Sequence, residues 1–294
     1  MTFSTVFPPM PTPFAGGEVD ARAIARNIER WLRAGVGGIV ALGSNGEAPL
    51  LDEAESDRVI AAARAAVPPG RVLIAGTGRE STRGAIDATR RAAALGADAV
   101  LVRTPSFFKS RMTPDAFVRH YTAVADASSV PVLLYNFPAV TGVNLAPETV
   151  TRLAEHPNIV GMKESGSDLA QVAALVDGVP STFSVISGSA PAFYGSLCLG
   201  ARGGILAAVC VAPELCVRLF EAAVAGRHAE ARALQKRLTP LARLVTTTHG
   251  VPGLKAAMDL CGYTGGEPRQ PLAPAGADAR DQIRAELALL QEVV

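Results

Sequence analysis

Short runs rich in Val, Ile and Leu alternate along this chain with longer stretches whose apolar residues recur every three or four positions. Short apolar runs bounded by turn residues fit strands buried on both faces, and the periodic stretches fit amphipathic helices. Eight strands are predicted: VFPPMPTPF (6–14, irregular), GGIVALG (37–43), RVLIAGT (71–77), AVLVRT (99–104), PVLLYN (131–136), IVGMKES (159–165), FSVISGS (183–189) and GGILAAV (203–209). Helices are predicted between and after them at 20–35, 52–66, 81–95, 114–128, 146–155, 168–176, 191–199 and 213–225. Local signals support several starts: Asp52 with Glu55 forms a capping-box pattern, and Thr113 precedes Pro114 as N-cap before a first-turn proline.

Strand–helix alternation calls for right-handed crossovers and a parallel sheet. Eight such units fit an α/β fold of the (β/α)8 barrel type better than an open sheet, which has fewer strands and a glycine-rich phosphate turn after the first. The barrel is assigned to residues 1–225. Residues 226–294, including HAEARALQKRLTPLARLV and VPGLKAAMDLCGY, are expected to add two or three helices as a C-terminal appendage.

Composition narrows the function. Of 294 residues, 49% are hydrophobic and 19% charged, which excludes disorder. A formal charge of +1, with no basic run interleaved with aromatics, argues against a nucleic-acid partner. The longest apolar run, GGILAAVCVAPELCVRLF, is broken by Pro213, Glu214 and Arg218, so no membrane span is expected. The N-terminal MTFSTVFPPMPTPF lacks the charged start of a signal peptide. Cys198, Cys210, Cys216 and Cys261 form no CxxC, and free thiols suit a cytoplasmic protein. The four histidines fall on helices or distal loops, and no metal site is expected.

A barrel carries its chemistry at the C-terminal ends of its strands. Those ends hold Thr12, Gly43–Glu47, Gly76–Gly78, Thr104, Tyr135-Asn136, Lys163-Glu164-Ser165, Gly188-Ser189 and Gly204-Ile205. Lys163 closes the apolar run Ile159–Met162, where an ammonium is costly to bury. One explanation is a strand ending at the surface. The other is an amine kept partly desolvated so that it is neutral and nucleophilic. The chain has only four lysines (Lys109, Lys163, Lys236, Lys255) against 24 arginines, and arginine cannot form an imine. Tyr135 ends the neighbouring strand, about 4.8 Å away. Alone it would be a core aromatic with its hydroxyl at the rim, and Ser44 and Asn45 alone would be turn residues. Together, an amine, a phenol and hydroxyl or amide donors at one barrel mouth suit imine formation with a carbonyl substrate, proton transfer and carboxylate binding.

At these residues the sequence resembles the dihydrodipicolinate synthase and N-acetylneuraminate lyase superfamily of pyruvate-dependent class I aldolases. The resemblance covers essentially the whole chain through TPF (12–14), GSNGE (43–47), YNFPAVTG (135–142), GMKES (161–165) and ISGS (186–189). The nearest likeness is to 4-hydroxy-2-oxoglutarate aldolase, through Ser44-Asn45, the serine two residues after Lys163, KSRMTP and the C-terminal GVPGLKAAMDLCGYTGG. The resemblance implies a Schiff base on Lys163 with a small-molecule 2-oxo acid, and Tyr135 as proton relay. It gives Ser44, Asn45 and Ser165 carboxylate or relay hydrogen bonds, with Gly188 and Ile205 lining the site. It implies no cofactor, a homotetramer made of two dimers, and cleavage of 4-hydroxy-2-oxoglutarate to pyruvate and glyoxylate.

Two positions depart from the superfamily pattern. The arginine by which dihydrodipicolinate synthases hold the aldehyde's carboxylate is Val140 here, and the tyrosine expected after strand four is replaced within TPSFFKS by Phe107 and Phe108. The alternatives are therefore 4-hydroxy-tetrahydrodipicolinate synthase, another 2-oxo acid aldolase or dehydratase of the superfamily, or a non-catalytic 2-oxo acid binder.

Overall fold

The structure, a computed structural model, describes residues 3–291. Eight parallel strands form the barrel: β1 (Val6–Phe7), β2 (Gly38–Ala41), β3 (Val72–Gly76), β4 (Ala99–Arg103), β5 (Val132–Asn136), β6 (Ile159–Glu164), β7 (Ser184–Ser187) and β8 (Gly203–Ile205). Each pairs with its sequence neighbour from β2 to β8, and β8 pairs with β1. Between β1 and β2 the ring is completed by a bridge from Pro9 to Val40 and by hydrogen bonds from Val40 N to Pro8 O (3.1 Å) and Met10 N to Val40 O (2.9 Å). Pro8, Pro9 and Pro11 lack the amide that a ladder needs, so β1 is two residues long where the sequence suggested a longer irregular strand. At the other end of the ring, the run expected as 203–209 leaves the ladder after Ile205 and turns into a 3-10 helix over Ala207–Cys210.

Helices α1 (Ala21–Arg33), α2 (Glu53–Ala66), α3 (Thr82–Ala94), α4 (Pro114–Ala127), α5 (Pro147–Leu153), α6 (Leu169–Gly178), α7 (Phe193–Cys198) and α8 (Pro213–Val224) surround the strands. Both halves of the Asp52–Glu55 capping box form, and the Thr113 hydroxyl accepts from Ala116 N. Apolar side chains divide into two cores. An outer one between strands and helices includes Trp31, Ile39, Leu134 and Met162. An inner one fills the barrel with Phe7, Val40, Ile74, Leu101, Leu133, Ile186 and Ile205.

Strand alternation assigns side chains to these cores, and it breaks once between β5 and β6. Val132 pairs with Ile159, but Leu133 pairs with Gly161, so β6 carries one extra residue. Ile159 and Met162, three positions apart, both enter the outer core, while Val160 packs against the inner one. A residue inserted in a strand switches the face of everything after it. Lys163 thereby pairs with Tyr135 and faces the barrel interior. Gly161 is required at this crossing, because a Cβ there would stand 2.5 Å from Ser184 O and 2.9 Å from a Leu133 methyl.

Beyond α8 come α9 (His228–Arg243), a π-helical turn (Leu244–Thr248), α10 (Gly250–Leu260) and α11 (Ala277–Gln291). Leu238, Leu254, Met258 and Ile283 join the outer core, so these helices pack on the barrel. Among the described residues no helix is long and apolar enough to cross a membrane.

His120 on α4 is buried, with Nδ1 2.9 Å from Thr82 Oγ1 on α3. Burial pulls its pKa down to about 4, and Glu80 opposes the shift only in part. The unfolded chain, with histidine near 6.5, takes up this proton first. The stabilisation is therefore complete above about pH 6.5 and is lost as pH falls towards about 4, by up to about 3 kcal/mol. Urea midpoints measured across that window should fall more steeply for the parent chain than for His120→Asn; equal slopes would contradict this.

Candidate active site

Lys163 and Tyr135 lie opposite each other at the C-terminal ends of β6 and β5, only 4% and 3% exposed. Lys163 Nζ stands 4.3 Å from the centroid of the Tyr135 ring, which stacks on Phe137. The other buried lysine, Lys255, pairs with Glu47 at 2.6 Å, whereas no carboxylate among the described residues pairs with Lys163.

The Tyr135 hydroxyl meets Ser44 Oγ at 3.1 Å. Ser44 follows Leu42, whose φ of +56° is a left-handed conformation costing a leucine about 1–3 kcal/mol. Gly76 on β3 makes room for that turn, since a Cβ there would meet Leu42 O at 1.9 Å. Ser165 Oγ is buried and without a partner. It occupies the space that a side chain at residue 188 would need, because a Cβ on Gly188 would stand 2.1 Å from Ser165 Oγ and 3.0 Å from Lys163 Cε. Glu164, on the opposite side of β6, is buried and accepts from Asn136 Nδ2 (2.7 Å), Gln171 Nε2 (2.9 Å) and Gly166 N, which fixes the segment carrying Ser165.

Lys163, Tyr135, Ser44, Asn45, Ser165, Gly188 and Ile205 line one cavity of about 180 Å³. The structure thus brings together every residue that the sequence placed at the site. The cavity also has a wall that strand-end reasoning missed: Val245 and Thr246 from the π turn, and Gly250 and Val251 from α10. A π turn carries no periodicity signal in sequence, though its occurrence at functional sites is a recurrent feature. Among the described residues of the lining, Lys163 alone is charged.

Ser44 and Tyr135 are also shared with a second cavity of about 380 Å³, lined on its far side by Glu53, Arg79, Glu80 and Arg103. Burial would raise the Glu80 carboxyl, but the Phe107 and Ser106 amides and Arg103 together hold it below the ordinary range. Phe107 and Phe108 line neither cavity, and both rings are exposed. No group of three or more His, Cys, Asp or Glu among the described residues is placed to hold a metal.

The model of the dihydrodipicolinate synthetase family matches residues 2–290. The chain belongs to that family. It is 37% identical over 293 residues to a 4-hydroxy-tetrahydrodipicolinate synthase of Exiguobacterium sp., covering 99% of each chain. It is 39% identical over 291 residues to the enzyme of that name from Hyphomonas neptunium, covering 98% of each. Among solved structures it superposes on dihydrodipicolinate synthase of Thermotoga maritima with a TM-score of 0.95 at 31% identity, over 98% of this chain and 99% of that one. A prophage protein of the family from E. coli K12, solved in complex with pyruvate, gives a TM-score of 0.93 at 30% identity, over 98% and 99% of the two chains. The chain is therefore an enzyme, a pyruvate-dependent lyase of the class I aldolase type.

Gly188→Ala should displace the Ser165 side chain and crowd Lys163. In this family member the expected result is a folded protein whose apparent KM for pyruvate rises about tenfold, with an overpacking cost of about 1–3 kcal/mol. An unchanged KM would show that Ser165 and Gly188 do not shape the 2-oxo acid site.

Proposed function

We propose that Lys163 forms an imine with a 2-oxo acid and that Tyr135 moves the proton that makes or breaks the adjacent carbon–carbon bond. The observation that carries this is a buried lysine without a counter-ion, set against a phenol that is itself hydrogen-bonded to Ser44. The neutral amine attacks C2 of pyruvate, and the carbinolamine loses water to give the iminium ion. The Tyr135 phenol gives its proton to the departing water and then takes one from C3 to form the enamine. C3 attacks an aldehyde carbonyl while Tyr135 passes that proton to the alkoxide, and hydrolysis of the imine returns a proton to Tyr135. Water then releases the product and restores the amine; cleavage is the same sequence reversed. Ser165 and Asn45 donate to the substrate carboxylate, as neutral groups in a cavity without a second cation.

Borohydride reduction in the presence of pyruvate should fix its carbon skeleton on Lys163, read by intact mass and peptide mapping. Lys163→Arg should remove both adduct and turnover without unfolding. Turnover by that variant, or an adduct elsewhere, would overturn the imine.

For the second substrate, the names of the relatives support condensation to 4-hydroxy-tetrahydrodipicolinate, the alternative reading of the sequence. One observation favours the aldolase reading instead. Val140 stands 61% exposed at the rim where a guanidinium would hold a second carboxylate, and no arginine lines this cavity. Assays of both reactions separate the two. Formation of 4-hydroxy-tetrahydrodipicolinate as the faster reaction supports the synthase, and faster release of pyruvate from 4-hydroxy-2-oxoglutarate supports the aldolase. Under the second outcome, Val140→Arg should raise the ratio of condensation to cleavage by about tenfold. As assembly we propose a homotetramer of two dimers, a reading supported by the exposed Phe107 and Phe108 rings after β4.

A further inference from the structure

Among the described residues, the most deeply buried ion pair lies outside the substrate cavity. Glu47 Oε1 and Lys255 Nζ are 2.6 Å apart, with side chains 0% and 1% exposed. Neither residue lines the cavity that holds Lys163. Removing two charges from water costs several kcal/mol for each ion, and replacing such a pair by apolar groups often stabilises a protein. Stability alone is therefore a weak reason for its presence, and its connections point elsewhere.

Glu47 closes the loop that carries Ser44 and Asn45. Its backbone is left-handed, with φ at +59°, and its amide donates to Ser44 O at 3.1 Å. Gly46 N donates to Gly43 O at 3.0 Å, and the Thr12 hydroxyl donates to Gly46 O at 2.7 Å. The far carboxylate oxygen of Glu47 accepts from Arg269 N at 2.7 Å, and Lys255 Nζ also donates to Glu267 O at 2.9 Å. Lys255 belongs to α10, whose first turn supplies Gly250 and Val251 to the substrate cavity. A loop with left-handed residues at Leu42 and Glu47 keeps that shape only where its surroundings over-determine it. The pair supplies that constraint from one side, and the Ser44–Tyr135 hydrogen bond sits on the other.

We infer that Glu47 and Lys255 are positioning residues that hold the Ser44 loop in register with Tyr135, so that the C-terminal helices govern proton transfer at the site. The inference rests on the imine reading above. Lys255 touches no reacting atom; it acts through Glu47, and Glu47 acts through the backbone of Ser44.

The test is a double-mutant cycle on kcat, with borohydride trapping of pyruvate run in parallel. Lys255→Met keeps the stem and removes the charge. It should lower kcat about tenfold while leaving the trapped fraction unchanged, because the amine of Lys163 is untouched. In a Ser44→Ala background the same substitution should cost less than about twofold, since the hydroxyl it positions is already gone. An equal loss in both backgrounds, or a fall in trapping with kcat preserved, would overturn the positioning role. Should Lys255→Met fail to fold, Glu47→Gln completes the same cycle. It keeps the volume and an acceptor for Arg269 N, and its smaller loss must likewise vanish in the Ser44→Ala background or the inference fails. The two readings fail differently. A parent chain that yields no adduct overturns the imine and this inference with it, whereas an adduct with a background-independent loss overturns this inference alone.

Discussion

The site depends on one extra residue in β6. Without it, strict alternation from Ile159 onward would send Lys163 into the outer core, against the helices, and Met162 into the barrel. With it, Ile159 and Met162 both find apolar surroundings outside, and Lys163 pairs across to Tyr135 inside. The hydrophobic pattern of the strand thus enforces the position of the amine, since slipping the register back would place a charge among helix side chains and a methionine in the cavity. Gly161 at the crossing and Gly188 at the rim provide the two places where a Cβ is absent so that this arrangement can close. The geometry is held by packing of rigid strands, which locate a side chain more tightly than loops do.

The two buried lysines show how environment divides one residue type between two tasks. Lys255 is desolvated, and burial lowers its pKa, but Glu47 and the Glu267 carbonyl hold its ammonium form. Lys163 is nearly as buried, yet it faces a ring and a hydroxyl-lined cavity without a carboxylate. The paired lysine is held by its carboxylate partner, whereas Lys163 has no carboxylate partner among the described residues and is the group proposed to react. The proposed reaction also bears on why this arginine-rich chain keeps lysine at position 163. The proposed imine requires an amine there, because a guanidinium cannot lose the proton that nucleophilic attack requires.

Much of this was legible in the sequence because parallel barrel strands are buried on both faces and stand out as continuous apolar runs. The eight strands, the order of the helices and the residues lining the cavity from strand ends follow from that pattern, together with motif resemblance. What escaped has physical causes too. The shortened β1 reflects prolines that remove ladder donors, a cost that hydrophobicity does not register. The extra residue in β6 adds one apolar side chain to an apolar run and leaves the pattern unchanged. Treating residues 226–294 as an appendage left Val245, Thr246, Gly250 and Val251 out of the expected lining, although they form one wall of the cavity. Glu47 lies within GSNGE and Lys255 within GVPGLKAAMDLCGYTGG, and neither motif marks its charge as one of a pair. Their contact was invisible, because nothing in a sequence reports that two distant charges share one buried point.

The wall between the two cavities gives the arrangement its chemical direction. Among the lining residues only Ser44 and Tyr135 are common to both, and a hydrogen bond joins their hydroxyls. On one side the lining holds a single charge, Lys163, beside the neutral hydrogen-bonding groups of Ser44, Asn45, Tyr135, Ser165 and Thr246. On the other side Arg79 pairs with Glu53 and Arg103 with Glu80, a compensated and solvent-facing set. In the proposed mechanism the Ser44 hydroxyl, hydrogen-bonded to Tyr135 at the boundary of the two cavities, is placed to return a proton to the phenol. Whatever fixes Ser44 fixes that boundary. The loop that carries Ser44, left-handed at Leu42 and Glu47, is met by the buried Glu47–Lys255 pair, which ties it to α10.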